Sequence, residues 1–130
     1  WQSLVTFCWK KKHFVCHQKK ISEKQAFKYG KKIRNAKTFF PKGVNVNFFS
    51  INNDKTINIL TYEKGVESVM QSCASGSTAV VFHLASINKV HKQTTTFSPG
   101  GRLIFSFDHN WKAVHITGSA QIVCSGYYFK

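Results

Sequence analysis

One segment constrains the fold more than any other. Residues 76 to 88, "GSTAVVFHLASIN", read as a helix in which Ala79, Val80, Val81, Phe82, Leu84, Ala85 and Ile87 leave almost no polar face. A helix that is apolar all round needs structure on every side. The chain has 130 residues, one domain by length, so the remainder of the sequence must form that cover. The cover reads as β. Residues 3 to 9 and 12 to 17 are short runs rich in Val, Phe and Trp. In residues 44 to 51, Val44, Val46 and Phe48 share one face and Asn45 and Asn47 the other. "INNDK" is a hairpin-type turn, and "KTINILTY" is the antiparallel return, which brings Asn45 near Tyr62 and Lys64. Three more strands are predicted after the turn "SPGG": "RLIFSFD", "KAVHITG" and "AQIVCSGYYF", with Leu103, Phe105 and Phe107 alternating in the first. The fold class is α+β: one domain over 1–130, a mixed, mostly antiparallel sheet of about seven or eight strands curled around one central buried helix.

A second helix lies in "ISEKQAFKYGKKIRN", residues 21 to 35. Ser22 suits the N-cap and Gln25 completes a capping box. Ile21, Ala26, Tyr29 and Ile33 form its apolar stripe, and Lys31, Lys32 and Arg34 sit where the helix dipole favours cations. Gly30 costs about 1 kcal/mol relative to Ala in an isolated helix.

Net charge is +14 with five acidic residues, and twelve of the nineteen basic residues fall between Lys10 and Lys42. Such a face attracts anions. No helix-turn-helix, finger or ribonucleoprotein signature accompanies it, so nucleic acid is not an expected partner. No run reaches the length of a membrane span. In "WQSLVTFCWKKKHF" the basic residues follow the apolar ones, the reverse of a signal peptide. Cys8, Cys16, Cys73 and Cys124 form no C-x-x-C pair and no zinc pattern with His13 or His17. They read as free, buried thiols in a reducing cytoplasm, with Cys124, Phe82 and Leu84 in the core. His83, His91, His109 and His115 fall in no recognisable motif and read as structural or exposed.

The chemistry sits in four pieces that occur in order. They are His13, "FPKGVNVNF", "TYEKGVE" followed by "SCASGSTA", and "GGRL" followed by "ITGSAQIVCSG". In this order, from about residue 3 to the end, the chain resembles the C-terminal half of the diaminopimelate epimerase family, in the variant with one extra residue before the cysteine. The resemblance implies two similar half-domains, each presenting one cysteine at the N-terminus of its central helix. One thiolate removes the substrate α-proton while the opposing thiol delivers one, with neither metal nor pyridoxal cofactor. A helix N-terminus lowers a thiol pKa, so a reactive thiolate is expected at Cys73.

Residue by residue, the resemblance implies Cys73 as the catalytic thiol, with His13 and Glu63 as the polar pair assisting it. Asn45 would bind substrate. Lys64 stands where the family has an arginine that grips the distal carboxylate. Ala74 and Ser75 would hold the reacting end through backbone N–H groups, and Lys11 stands where the family has an asparagine or serine. The partners implied are a small amino-acid substrate and the missing N-terminal half-domain, or a second copy of this chain. The departures from the family are Lys10 to Lys12 before His13, Val69-Met70 for Glu-Thr, and Ala74 for a glycine. Ala74 is expected to crowd a close backbone approach. Two other readings stay open at this level: a catalytically inactive remnant, and a basic module for an anionic partner.

Overall fold

In the structure, a computed structural model, residues 3–8, 11–39, 41–53, 56–111 and 113–129 are described. Strands β1 (Ser3–Cys8) and β2 (Lys11–His17) form an antiparallel hairpin. Helix α1 (Glu23–Arg34) and a short 3-10 turn (Lys37–Phe39) lead into β3 (Asn45–Asn53), which lies parallel to β2. The return strand β4 (Thr56–Glu63) is antiparallel to β3 and is followed by the short β5 (Ser68–Met70). Helix α2 (Ala74–Ser86) precedes β6 (Gln93–Ser98), β7 (Gly101–Phe107) and β8 (Val114–Gly118). The sheet runs β1-β2-β3-β4-β6-β7-β8, with β5 on the β6 side of β4. It is mixed: β2–β3 and β4–β6 are parallel, and the other pairs are antiparallel. At the tip of the predicted "INNDK" turn, residues 54 and 55 lie outside the described residues, as does Trp9 at the end of the first predicted strand.

Each face of the sheet carries one helix. Val15, Phe49, Ile57, Ile59 and Phe105 pack with Val80, Val81 and Leu84 of α2. Cys16, Val44, Val46, Phe48 and Tyr62 pack with Ala26 of α1, and Ile21, Tyr29 and Ile33 lean on that cluster. The predicted stripe of α1 and the predicted faces of β3 are therefore the packed ones. Ser22 caps α1 as expected, with both bonds of the capping box formed to Gln25.

Gly30 is explained by packing rather than by helix propensity. A Cβ there would lie 2.5 Å from Tyr62 Cβ and 2.7 Å from its Cγ, so the glycine sets how closely α1 approaches β4. Propensity alone makes Gly30→Ala stabilising by about 1 kcal/mol. Overpacking against a fully buried tyrosine costs about 1–3 kcal/mol and dominates. Urea denaturation is expected to show a net loss of stability.

Three expectations are corrected. Helix α2 begins two residues before the expected start, at Ala74, and one side of it faces out. Phe82 is 42% exposed, with its ring edge on Phe107 at 5.4 Å, so it is not core; Leu84 is. Thirteen residues make about three and a half turns, and the curled sheet leaves that one stripe of the helix uncovered. Residues 120–129 form no strand. Ile122, Val123, Tyr127, Tyr128 and Phe129 are each at least 88% exposed, and Cys124 is exposed rather than core. The strand pattern is present, but no sheet edge of the described chain pairs with it. Cys16 and Cys73 are buried free thiols as expected. Among the described residues no helix is long and apolar enough to cross a membrane.

Candidate active site

Cys73 is the N-cap residue of α2. Its backbone is extended, with φ −143° and ψ 99°, and its sulfur accepts from the Gly76 N–H at 3.4 Å. A sulfur here takes the place that a serine or aspartate oxygen usually fills. Ser75 Oγ lies 3.5 Å from the same sulfur. The thiol is buried, and the Glu63 carboxylate lies near enough to influence its ionisation. The loop entering the cap is held from the far side of the sheet. The Gly100 N–H donates to Gln71 O at 2.7 Å, and a Cβ at Gly100 would meet that oxygen at 2.9 Å. The "SPGG" turn thus presses on the cysteine loop.

The turn that carries Glu63 and Lys64 is clamped by charge. Arg34 Nη2 lies 2.9 Å from Glu67 Oε1, and its Nε also donates to that oxygen. Tyr62 OH donates to the other carboxylate oxygen at 3.2 Å, and the Gly65 N–H donates at 3.1 Å. These bonds hold Glu67 at φ 57°, a left-handed conformation uncommon for glutamate. The Gly65 N–H and the Arg34 guanidinium keep the Glu67 carboxyl below its ordinary range.

His13 and Asn45 are register partners on adjacent parallel strands. Asn45 Oδ1 accepts from the Lys64 N–H at 3.0 Å, which ties β3 to the Glu63 turn as the hairpin reading predicts. The Asn45 Nδ2 group is buried with no hydrogen-bond partner among the described residues. His13 is fully buried, and its Nδ1 lies 3.2 Å from Asn47 Nδ2. The orientation of Asn47 is fixed because its Oδ1 accepts from Thr61 Oγ1 at 3.0 Å. Its N–H₂ then donates both to Phe14 O and to the His13 ring. That makes His13 Nδ1 an acceptor, so the neutral ring carries its proton on Nε2.

Asn47 and Thr61 also form the floor under the first turn of α2. A Cβ at Gly76 would meet Thr61 Oγ1 at 2.8 Å and Cys73 Sγ at 3.3 Å, with Asn47 Oδ1 closer still. The sequence reading places Asn47 beside Asn45 on one strand face but gives it no role. The signal was the i, i+2 spacing of two asparagines opposite a threonine. Gly76, three residues after the cysteine, carried a second signal.

Of the expected residues, Cys73 and Ser75 come into contact, and the Glu63 carboxylate lies near the sulfur. Asn45 and the Lys64 backbone join them through the turn, and His13 joins through Asn47. Ala74 is exposed at the start of α2. The Lys64 side chain is exposed. Lys11 belongs to β2, and its side chain lies outside what is described. Among the described residues there is no cluster of three or more His, Cys, Asp or Glu that could hold a metal ion.

The expected lowering of the thiol pKa is overturned. Burial pushes the Cys73 thiol up, and the neighbouring Glu63 charge adds to that. Bonds from Ser75 and Gly76 oppose the rise without cancelling it. Two opposed bonds at a cap do not outweigh the loss of water around a buried sulfur. The raised value favours the thiol form in the fold. Its effect on stability is absent at low pH, where folded and unfolded thiols are both protonated. Stability is lost as pH rises past the ordinary cysteine value, where only the unfolded chain ionises freely. Alkylation of Cys73 by iodoacetamide, followed by mass spectrometry, is expected to titrate above that ordinary value. Glu63→Gln is expected to lower the midpoint by removing the adjacent negative charge. A wild-type midpoint below the ordinary value would contradict the burial argument.

The diaminopimelate epimerase family profile matches residues 11–123. The chain is 35% identical over 116 residues to a diaminopimelate epimerase of Aquifex aeolicus, covering 88% of this chain and 42% of that protein. It is 34% identical over 92 residues to one from Geobacillus, covering 69% of this chain and 32% of that protein. The chain thus spans less than half the length of these relatives. Among solved structures, a Bacillus anthracis phenazine biosynthesis protein of the PhzF family superposes with a TM-score of 0.59 at 12% identity, covering 88% of this chain and 36% of that one. A PhzF-family protein from Enterococcus faecalis gives 0.58 at 13% identity, covering 76% and 35%. At such identities the likeness is one of fold: a mixed sheet curled around a central helix. With the profile extending from the strand of His13 to beyond the last strand, the chain belongs to the diaminopimelate epimerase family, a family of isomerases.

Proposed function

We propose that this chain supplies one half of a cofactor-independent, two-thiol epimerase site that interconverts LL- and meso-diaminopimelate, a step of lysine and peptidoglycan precursor synthesis. The observation that carries the reading is Cys73 at the cap of α2, its sulfur held by Ser75 and Gly76 with the Glu63 carboxylate nearby. The α-proton of an amino acid is a very weak acid, so its removal needs an aimed sulfur and a stabilised carboxylate. The raised thiol pKa suits Cys73 to the role of resting proton donor. The opposing thiolate, from a second half, takes the α-proton and becomes a thiol. Cys73 gives its proton to the other face of the carbanion and becomes the thiolate, ready for the reverse direction. Atoms and charge balance over the two transfers.

In this reading Asn45 Nδ2, buried and without a partner among the described residues, donates to the substrate, and the N–H groups at Ala74 and Ser75 receive its carboxylate. Lys64 attracts the distal carboxylate. Lys64 does so as a point charge without the bidentate fit of an arginine. The exposed apolar residues at 122–129 are a surface that a second half-domain, or a second copy, would cover.

The test is α-proton exchange. The reduced chain is incubated with diaminopimelate in heavy water, alone and with the N-terminal half of a full-length relative, and loss of the α-proton signal is followed by NMR. Exchange that needs the added half supports the proposal. A folded chain that gives none under either condition overturns it in favour of an inactive remnant.

A further inference from the structure

A second concave surface lies at the other end of β3 and β4 from Cys73. The site described above uses Asn45 and Glu63. This cleft uses Asn52 and Asn58, close to the opposite end of the same two strands. Its volume is about 460 Å³, within the range of small-molecule sites. Three segments distant in sequence build it: the loop before α1, the β3–β4 ribbon and the end of β6.

The chemistry of its lining is specific. Phe97 offers a ring that is 41% exposed. Asn58 Nδ2 donates to Asn52 Oδ1 at 2.9 Å. That bond leaves the Asn52 N–H₂ as a donor and the Asn58 oxygen as an acceptor, both exposed in the cleft. A purine edge also carries both donor and acceptor groups, which amide side chains can pair with. Lys19 and Lys20 stand at the mouth, opposed on the rim by Glu23. Lys24 and Lys28 are exposed in the first part of α1 and extend the positive field near the opening, while Lys31 and Lys32 lie farther along the helix.

We propose that this cleft binds a purine nucleotide, its base against Phe97 and the Asn52–Asn58 amide pair and its phosphate at Lys19 and Lys20. The sequence shows no nucleic-acid motif because no single segment contains the site. A flat π-face, a paired amide edge and two cations within one cleft fit a nucleotide better than a lipid surface, which needs no base-sized slot. The same chemistry is presented by a free nucleotide and by one nucleotide of a single strand.

The experiment titrates the full chain into fluorescently labelled adenosine monophosphate and, separately, into a short labelled oligoadenylate, reading anisotropy at several salt concentrations. Saturable binding is expected, and inorganic phosphate competes only weakly. Phe97→Ala is expected to weaken binding by about tenfold, the scale of one lost base stack. Lys19→Ala with Lys20→Ala is expected to weaken it and flatten its salt dependence. Lys31→Ala with Lys32→Ala is expected to change little. In the unsubstituted chain, added nucleotide should shift the side-chain amide NMR signals of Asn52 and Asn58 and leave the Gly76 amide unmoved. Binding of the monophosphate assigns the site to a free nucleotide. Binding of the oligomer alone, with the same dependence on Phe97, assigns it to a strand. The proposal is overturned by no binding, or by equal losses from both lysine pairs with none from Phe97→Ala. Retention on phosphatidylglycerol vesicles in place of either nucleotide also overturns it.

Discussion

Cys73→Ala is expected to lower α-proton exchange in the reconstituted assay by about 10²–10⁴-fold, the scale of removing a positioned proton donor or acceptor. Alanine also removes the cap of α2, because the sulfur accepts the Gly76 N–H. Losing a cap costs about 1 kcal/mol, so a loss of exchange in this variant mixes chemistry with stability. Cys73→Ser separates the two. A serine hydroxyl is a better N-cap acceptor than sulfur, so stability in urea should be equal to or above that of the unsubstituted chain. Its pKa is far too high for the exchange step, so activity should fall nearly as far as in the alanine variant. A serine variant that retains most of the exchange would remove Cys73 from the chemistry and leave it a structural cap.

Gly76→Ala is expected to lose about 1–2 kcal/mol of stability and much of the exchange, despite a helix-propensity gain of about 1 kcal/mol. The added methyl group would sit 2.8 Å from Thr61 Oγ1 and closer to Asn47 Oδ1. Neither group has room to withdraw. Thr61 and Asn47 are buried, and Asn47 is held by bonds to Thr61, Phe14 and His13. The first turn of α2 must therefore lift, and it carries the Cys73 sulfur away from Glu63. Combining Gly76→Ala with Asn47→Ala makes room, so the pair should cost less than the sum of the two. Urea denaturation of the two single variants and the pair checks this. A stabilising Gly76→Ala would mean that the helix start is not packed on β3 and β4 as described.

The sequence made the elements legible where the cause is local. Ser22 and Gln25 cap α1 because the two side chains reach each other's backbone within one turn. The Val and Asn alternation of β3 sorts its faces because a strand has period two. The hairpin brings Asn45 to Lys64 because antiparallel pairing fixes register once the turn is placed. The ordered motifs carry Cys73 and Glu63, and the fold places the Glu63 carboxylate near the Cys73 sulfur.

What the sequence left undecided depends on how far segments approach one another. Phe82 reads as core from its neighbours, yet the curl of the sheet leaves it half in solvent. Residues 120–129 have strand composition, but a strand also needs an open edge, and no edge of the described chain pairs with them. The cap position of Cys73 argues for a thiolate, while desolvation, which only the packed structure creates, raises its pKa instead. The Asn47–Thr61–Gly76 contact and the Phe97–Asn52–Asn58 cleft join residues that are distant in the chain. The sequence by itself determined periodicity and caps, because these act over one or two turns of backbone. The tertiary structure decided burial, close approach and the ionisation of Cys73, because these depend on distances between segments that only packing sets.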